Sequence, residues 1–214
     1  MIKLYITATN TDIGKTYTSL KLIKAFSALG YRVGVMKPIE TGVQVIPLDA
    51  TVLLTEAKKY NPDFASIMIE EICPIQFSLP AAPYVAKKEE KIDFELLQKS
   101  AGKLSKHCDI LLIESAGGLM TPIEDDTIMI DLATFFDAKI LLITDDTLGC
   151  INNTLLSISL IRRYHDSFTW CMNQKSTDGS FEQVSLPYFQ TKFKQVFTVQ
   201  KDIKEIAQHL LSLS

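Results

Sequence analysis

The chain has 214 residues, 47% of them hydrophobic and 22% charged, with a formal net charge of -3. That length suits one α/β domain with a full core, and a single domain over residues 1–214 is expected. The mild acidity, with basic residues scattered into pairs such as Lys58-Lys59, Lys87-Lys88 and Arg162-Arg163, excludes a broad nucleic-acid surface and reads as solvated helix faces.

Residues 2–7 (IKLYIT) form a short apolar, β-branched run that predicts a buried strand. A helical stripe follows over 15–29, where Leu20, Ile23, Phe26 and Leu29 recur at three- and four-residue steps, and Gly30 stops it. Residues 31–36 predict a second strand, ended by Lys37-Pro38. Asp49 reads as the N-cap of a helix over roughly 50–60. Residues 61–92 are mixed, broken by Pro62, Pro74, Pro80 and Pro83, and a helix is expected over about 93–106.

Residues 109–114 (DILLIE) are the clearest buried strand, with SAGG as the turn after it. A helix over 128–136, a strand over 138–144, a helix over 151–164 and a strand over 168–172 follow. A strand near 195–199 and an amphipathic helix over 201–213 close the chain. Strands alternating with helices predict a mostly parallel sheet covered on both faces. Ligands in such sheets gather at the carboxyl ends of the strands.

Cys73, Cys108, Cys150 and Cys171 stand at no C-x-x-C spacing, so neither a zinc site nor a redox pair is expected. His107, His165 and His209 are too dispersed for a ligand cluster. With no leader pattern and no apolar run long enough for a bilayer, the expected location is cytoplasmic, with no membrane partner.

The strand ends hold the chemistry. The first loop, ATNTDIGKT over 8–16, almost spells a phosphate loop, but the strict spacing G-x-x-x-x-G-K-[ST] would need glycine where Thr9 stands. Gly14-Lys15-Thr16 nonetheless follows a strand and opens a helix, where backbone N–H groups favour an anion. Lys15 is placed to hold outer phosphates and the Thr16 hydroxyl to ligate Mg2+. Glu114 closes a buried strand and is a second candidate for Mg2+.

Lys37 closes the second strand, which is expected beside the first because sequential strands often pair. There it would neutralise charge that develops in phosphoryl transfer. Thr41 is unremarkable by itself, and Asp49 by itself is a helix cap. Residues 149–152 (GCIN) are a glycine turn into a helix: either an anion site, for a substrate carboxylate for example, or an ordinary junction.

Together these segments resemble the dethiobiotin synthetase family. Its long loop, G-T-D-T-x-V-G-K-T, is matched in length by 8–16, and its Y-K-P-x-x-[ST]-G is similar to MKPIETG over 36–42. Its E-G-A-G-G…P is similar to ESAGG at 114–118 with Pro122, and its L-G-C-I-N is matched at 148–152. The chain departs from the family at Ala8 and Ser115, where the family has glycine, and the match fades after Asn173.

The resemblance implies ATP as co-substrate, with its phosphates on Lys15 and the amides of Asp12, Ile13, Gly14, Lys15, Thr16 and Tyr17. It implies Mg2+ on Thr16, Asp49 and Glu114, further nucleotide contacts from Ser115, Ala116 and Gly117, and Asn173 at the base. Lys37 would be the catalytic lysine beside Lys15. Thr11 and Thr41 would meet the diamine end of 7,8-diaminononanoate, and Gly149, Cys150, Ile151 and Asn152 its carboxylate across a homodimer interface. The implied reaction joins the diamine, CO2 or bicarbonate and ATP into dethiobiotin, ADP and phosphate, through a carbamate and a mixed carbamic-phosphoric anhydride.

Rival readings are weaker. A cobyrinate-type amidation enzyme would normally carry a glutaminase domain, for which this chain has no room. A partitioning or switch ATPase would carry a signature lysine where Asn10 stands, and a small-molecule kinase would usually keep glycine at position 9.

Overall fold

The computed structural model describes residues 1–165 and 167–213. Its centre is a five-stranded sheet of β1 (Ile2–Ala8), β2 (Val33–Met36), β5 (Ile110–Glu114), β8 (Lys139–Asp145) and β9 (Phe168–Asn173). The order is β2-β5-β1-β8-β9, with every neighbouring pair parallel. β5 is buried along its whole length and β8 along all but Lys139, which is why both read as unbroken Ile/Leu runs.

The sheet overturns one expectation that matters for the site. β2 does not pair with β1; β5 lies between them, with Leu112 partnering both Leu4 and Val35. Sequential strands are neighbours often but not always. Here β5 lies inside and the four-residue β2, though also buried along its length, takes the edge.

Helices cover the sheet. α1 (Lys15–Ala28) buries Thr18, Leu22, Ala25 and Phe26, a 3.6-residue spacing, and packs on α2 (Leu48–Tyr60) and on the C-terminal helix (Ile203–Ser212). Between β2 and β5 lie a two-stranded parallel ribbon of β3 (Ile39–Thr41) and β4 (Ile75–Phe77), and the helices α3 (Ile69–Ile72), α4 (Pro83–Ala86) and α5 (Phe94–Leu104). α5 starts where the Asp93 side chain accepts from Leu96 N at 2.8 Å.

Three further boundaries differ from expectation. Residues 128–130 do not open a helix. β6 (Pro122–Glu124) and β7 (Thr127–Ile128) form a hairpin, and helix α6 covers only Asp131–Phe135. The donors of Met129 and Ile130 go to the carbonyls of Thr121 and Leu119, at 2.9 and 3.1 Å, instead of into a helix. Asp49 is not an N-cap: the cap residue is Pro47 and Asp49 lies inside the first turn of α2. Residues 195–199 form no strand but a single bridge, Thr198 to Met172. The Asp202 carboxylate accepts from Thr198 N and Oγ1, at 2.7 and 3.0 Å, and turns the chain away from the sheet.

The remaining helices are α7 (Cys150–Ile161), α8 (Ser180–Val184), α9 (Leu186–Lys192) and α10 (Ile203–Ser212). Sequence periodicity misses the short α8 and α9. They are held by aromatics, with Trp170 against Phe189 and Phe193 at centroid distances of 5.3 and 4.8 Å. All four cysteines are buried and unpaired. Among the described residues no helix is long and apolar enough to cross a membrane.

Candidate active site

The loop from β1 to α1 begins without strain. Ala8 is fully buried, pairs with Ile143 in β8, and is followed by Thr9 N donating to Ile143 O at 3.0 Å. Its backbone is extended, so the methyl group that replaces the family's glycine costs nothing conformationally. The loop turns farther on, where Asp12 (φ 58°) and Gly14 (φ 106°) take left-handed backbone.

Gly14 has a second reason to be glycine. A Cβ there would stand 2.1 Å from Asn173 Nδ2. Asn173, at the end of β9, donates from that nitrogen to Ile13 O at 2.7 Å, while its Oδ1 accepts from Gln200 at 2.8 Å. Lys175 reaches across to donate to Asp12 O at 2.5 Å. The end of β9 therefore holds the loop from behind.

Lys15 opens α1 with its ammonium nearly buried; its one hydrogen bond is long, 3.4 Å to Asn10 O. Burial, together with the nearby Lys37 charge, lowers its pKa from 10.5 to about 8. It is a cation with weak compensation beside a row of helix N–H groups, an arrangement that suits an anion.

Glu114 organises the opposite wall. Its Oε1 accepts from Thr16 Oγ1 at 2.8 Å and from Lys37 Nζ at 2.9 Å, and its Oε2 accepts from Ser19 Oγ at 2.7 Å. Lys37 also donates to Asp49 Oδ2 at 3.0 Å and to Ser115 O at 3.2 Å. Burial disfavours the Lys37 ammonium, but the Glu114 and Asp49 carboxylates outweigh that and hold its pKa above the ordinary lysine range. Burial acts against Asp49 too, and the Lys37 charge overcomes it, so Asp49 stays below the usual carboxylate range.

Thr16, Asp49 and Glu114 thus offer a hydroxyl and two carboxylates around one cationic position, now taken by the Lys37 ammonium. Among the described residues no three His, Cys, Asp or Glu side chains gather as a metal cage. The donor set fits Mg2+, which favours hard oxygens and is usually held by one or two carboxylates together with substrate phosphates.

Lys15, Thr16, Lys37 and Asp49 line a cleft of about 660 Å3, together with Thr11, Asp12, Gly14, Tyr17, Thr41, Ala116 and Gly117, while the Glu114 carboxylate is buried behind Thr16 and Lys37. Ser115 lies behind it, fully buried, with its hydroxyl 3.3 Å from Thr7 Oγ1. Ile13 and Asn173 are loop supports instead of cleft walls. Gly149, Cys150, Ile151 and Asn152 do not reach the cleft: they start α7 beyond β8, next to Leu148, which is 97% exposed. The Cys150 thiol points inward, donating to Ser185 Oγ at 3.5 Å.

Three features escape a reading of the sequence. Ser19 ligates Glu114 from the same helix face as Thr16, a spacing of three residues that could have flagged it. Pro80 and Pro83 read as breakers but, with Ala81 and Ala82 between them, wall the cleft. Glu40 lines it as a buried acid in a three-residue strand too short to show a pattern.

A family model described as an AAA domain matches residues 3–172. The chain is 42% identical over 210 residues to the ATP-dependent dethiobiotin synthetase BioD of Sulfurovum sp. (strain NBC37-1), covering 98% of this chain and 100% of that one. It is 36% identical to the protein of the same name from Wolinella succinogenes, covering 99% of each. Two solved structures share the fold. One is from the MinC:MinD cell division complex of Aquifex aeolicus (TM-score 0.53, 16% identity, 92% of this chain and 79% of that one). The other is a plasmid partition protein of Borrelia burgdorferi (TM-score 0.55, 13% identity, 98% and 96%). At these identities the likeness speaks for an α/β phosphate-loop fold alone.

Proposed function

The chain belongs to the ATP-dependent dethiobiotin synthetase family, an ATP-dependent ligase family, and from that membership we propose that it closes the ureido ring of dethiobiotin in biotin biosynthesis. The substrates are 7,8-diaminononanoate, CO2 or bicarbonate, and ATP. One amine adds to CO2 and loses a proton, giving a carbamate. A carbamate oxygen attacks the γ-phosphorus and the bond to ADP breaks, leaving a carbamic-phosphoric anhydride. The second amine attacks the carbonyl carbon, phosphate leaves and the ring closes.

No step needs a protein nucleophile; positioning and charge stabilisation suffice. Lys15 and the amides of residues 12–17 hold the ATP phosphates, with Ala116 and Gly117 on the facing wall and Ser115 behind them. Lys37 stabilises the charge that develops on the transferring phosphoryl group. Thr16, Asp49 and Glu114 would hold Mg2+, which when bound would neutralise phosphate charge. Thr11 and Thr41 face the diamine. The observation that carries this reading is the Lys37 ammonium between Glu114 and Asp49, at 2.9 and 3.0 Å, on the wall facing the phosphate loop.

Gly149 to Asn152 stand at a helix N-terminus outside the cleft, beside exposed Leu148. In a homodimer they would bring their amides to the substrate carboxylate of the partner's cleft. Asn173 already donates to Ile13 O and accepts from Gln200, so in this reading it supports the loop, and base selection falls to residues after it.

The deciding assay incubates the protein with 7,8-diaminononanoate, bicarbonate, Mg2+ and each of ATP, GTP and CTP, with dethiobiotin read by mass spectrometry. Product with ATP is expected; none with any nucleotide would overturn the proposal.

A further inference from the structure

α2 starts in an unusual way. Its N-cap, Pro47, has no side chain able to accept a hydrogen bond, and Thr51 N is the first amide with an intrahelical partner, Pro47 O at 2.9 Å. The amides of Leu48, Asp49 and Ala50 are left to find acceptors elsewhere. Two of them find the same one. Glu40, reaching over from β3, accepts from Asp49 N through Oε1 at 3.1 Å and from Ala50 N through Oε2 at 2.9 Å.

Such service is usually done by a serine or aspartate at the cap itself, at little cost. Here it is done by a buried carboxylate, 7% exposed, 9 residues away for Asp49 and 10 for Ala50. Burying a carboxylate is costly, and the partners of this one are helix amides at the positive end of a dipole. Asp49, in contrast, has a side chain 49% exposed, so packing does little to fix it.

The link between the two runs through Lys37. Glu40 lies three residues after Lys37 on the same segment, and its strand is anchored by pairing with Gln76 of β4. The segment that delivers the lysine therefore also grips the helix turn that delivers the lysine's partner. We propose that Glu40 is a positioning residue, whose two-oxygen clamp on the Asp49 and Ala50 amides sets the Asp49 carboxylate against Lys37 and the metal-and-phosphate end of the cleft. This rests on the place given to Asp49 under the proposed function.

The test is binding of Mn2+, as a spectroscopic stand-in for Mg2+, to the full chain with a non-hydrolysable ATP analogue, followed by electron paramagnetic resonance. Glu40→Ala, Glu40→Gln and Asp49→Asn are compared, each with its thermal unfolding midpoint. Glu40→Ala is expected to weaken Mn2+ about tenfold, the range for losing a group that orients a ligand. Glu40→Gln keeps one carbonyl acceptor and is expected to weaken it about threefold, the equivalent of one hydrogen bond. Asp49→Asn should do at least as much as Glu40→Ala.

If Asp49→Asn weakens Mn2+ while folded Glu40→Ala binds it as the parent chain does, the positioning role is overturned and Glu40 is a helix brace alone. If Glu40→Ala does not fold, Glu40→Gln decides the matter by the same comparison. If Asp49→Asn itself leaves Mn2+ binding unchanged, the place given to Asp49 fails first, and the role of Glu40 with it.

Discussion

The Lys37 ammonium stands 2.9 Å from the Glu114 carboxylate, and both side chains are almost wholly buried, 3% and 1% exposed. Burying such a pair is expensive, yet removing one partner is worse, because it strands the other charge. Lys37→Met is therefore expected to destabilise the chain by about 3–5 kcal/mol as well as to abolish turnover. Adding Glu114→Gln should recover most of the stability and none of the activity. Urea unfolding of the single and double variants checks this; an unchanged midpoint in Lys37→Met would show that Thr16 and Ser19 alone satisfy Glu114.

Lys15 makes the site sensitive to pH. In the free chain burial lowers its pKa to about 8, from an ordinary 10.5. Below about 8 both folded and unfolded chains carry the charge, and the folded chain bears its cost. Above that the unfolded chain keeps a proton that the folded one has released, so stability should rise with pH between 8 and 10.5. Bound phosphates favour the charged form, so nucleotide binding takes up close to one proton near pH 9, and affinity falls as pH rises through that range. Calorimetric titration in buffers of different ionisation enthalpy measures the uptake; none at pH 9 would show that Lys15 is already fully charged.

Gly14→Ala places a methyl group 2.1 Å from Asn173 Nδ2 on backbone at φ 106°. Asn173 cannot swing away without giving up Ile13 O and Gln200. We expect nucleotide affinity to fall at least tenfold, or about 1.4 kcal/mol, read by fluorescence with a labelled nucleotide. The double variant Gly14→Ala/Asn173→Ala should remain impaired, because the left-handed strain persists and the support behind the loop is gone. Full recovery in the double variant would assign the whole effect to the clash.

Ala8→Gly restores the residue that the family motif carries. Because Ala8 is extended, buried and paired to Ile143, the change should lower stability by about 0.5–1 kcal/mol and leave turnover unaltered. Thermal unfolding and steady-state rates decide; a faster enzyme would show that the Ala8 methyl group constrains the loop.

That the 8–16 loop, Glu114 and Lys37 stand at strand ends is legible in the sequence because each ends or follows a buried apolar run, and such runs declare themselves by composition. The neighbours of those runs did not. Nothing in DILLIE says that it lies between the first two strands instead of outside them, since parallel strands with long crossovers carry no local record of their pairing. Asp49 looked like a cap because helix signals are local, whereas the acceptor that serves its turn comes from Glu40, on another element. Residues 128–130 have a helix's composition, but Met129 and Ile130 spend their donors on the 119–121 loop and Ile128 on the Asp131 carboxylate.

The place of β5 between β1 and β2 also bears on how the molecule comes into being. β1 and β2 are each hydrogen-bonded in the sheet to β5, and β1 otherwise to β8; neither strand meets the other. A nascent chain that has grown to residue 105 has made the loop over 8–16, its first helix and the segment that carries Lys37, but has no strand with which to join them. Assembly of the sheet waits for residues 110–114, and those same five residues deliver Glu114. Ribosome-bound fragments ending before that point should stay open to proteases, and protection should arrive abruptly once β5 has emerged from the exit tunnel.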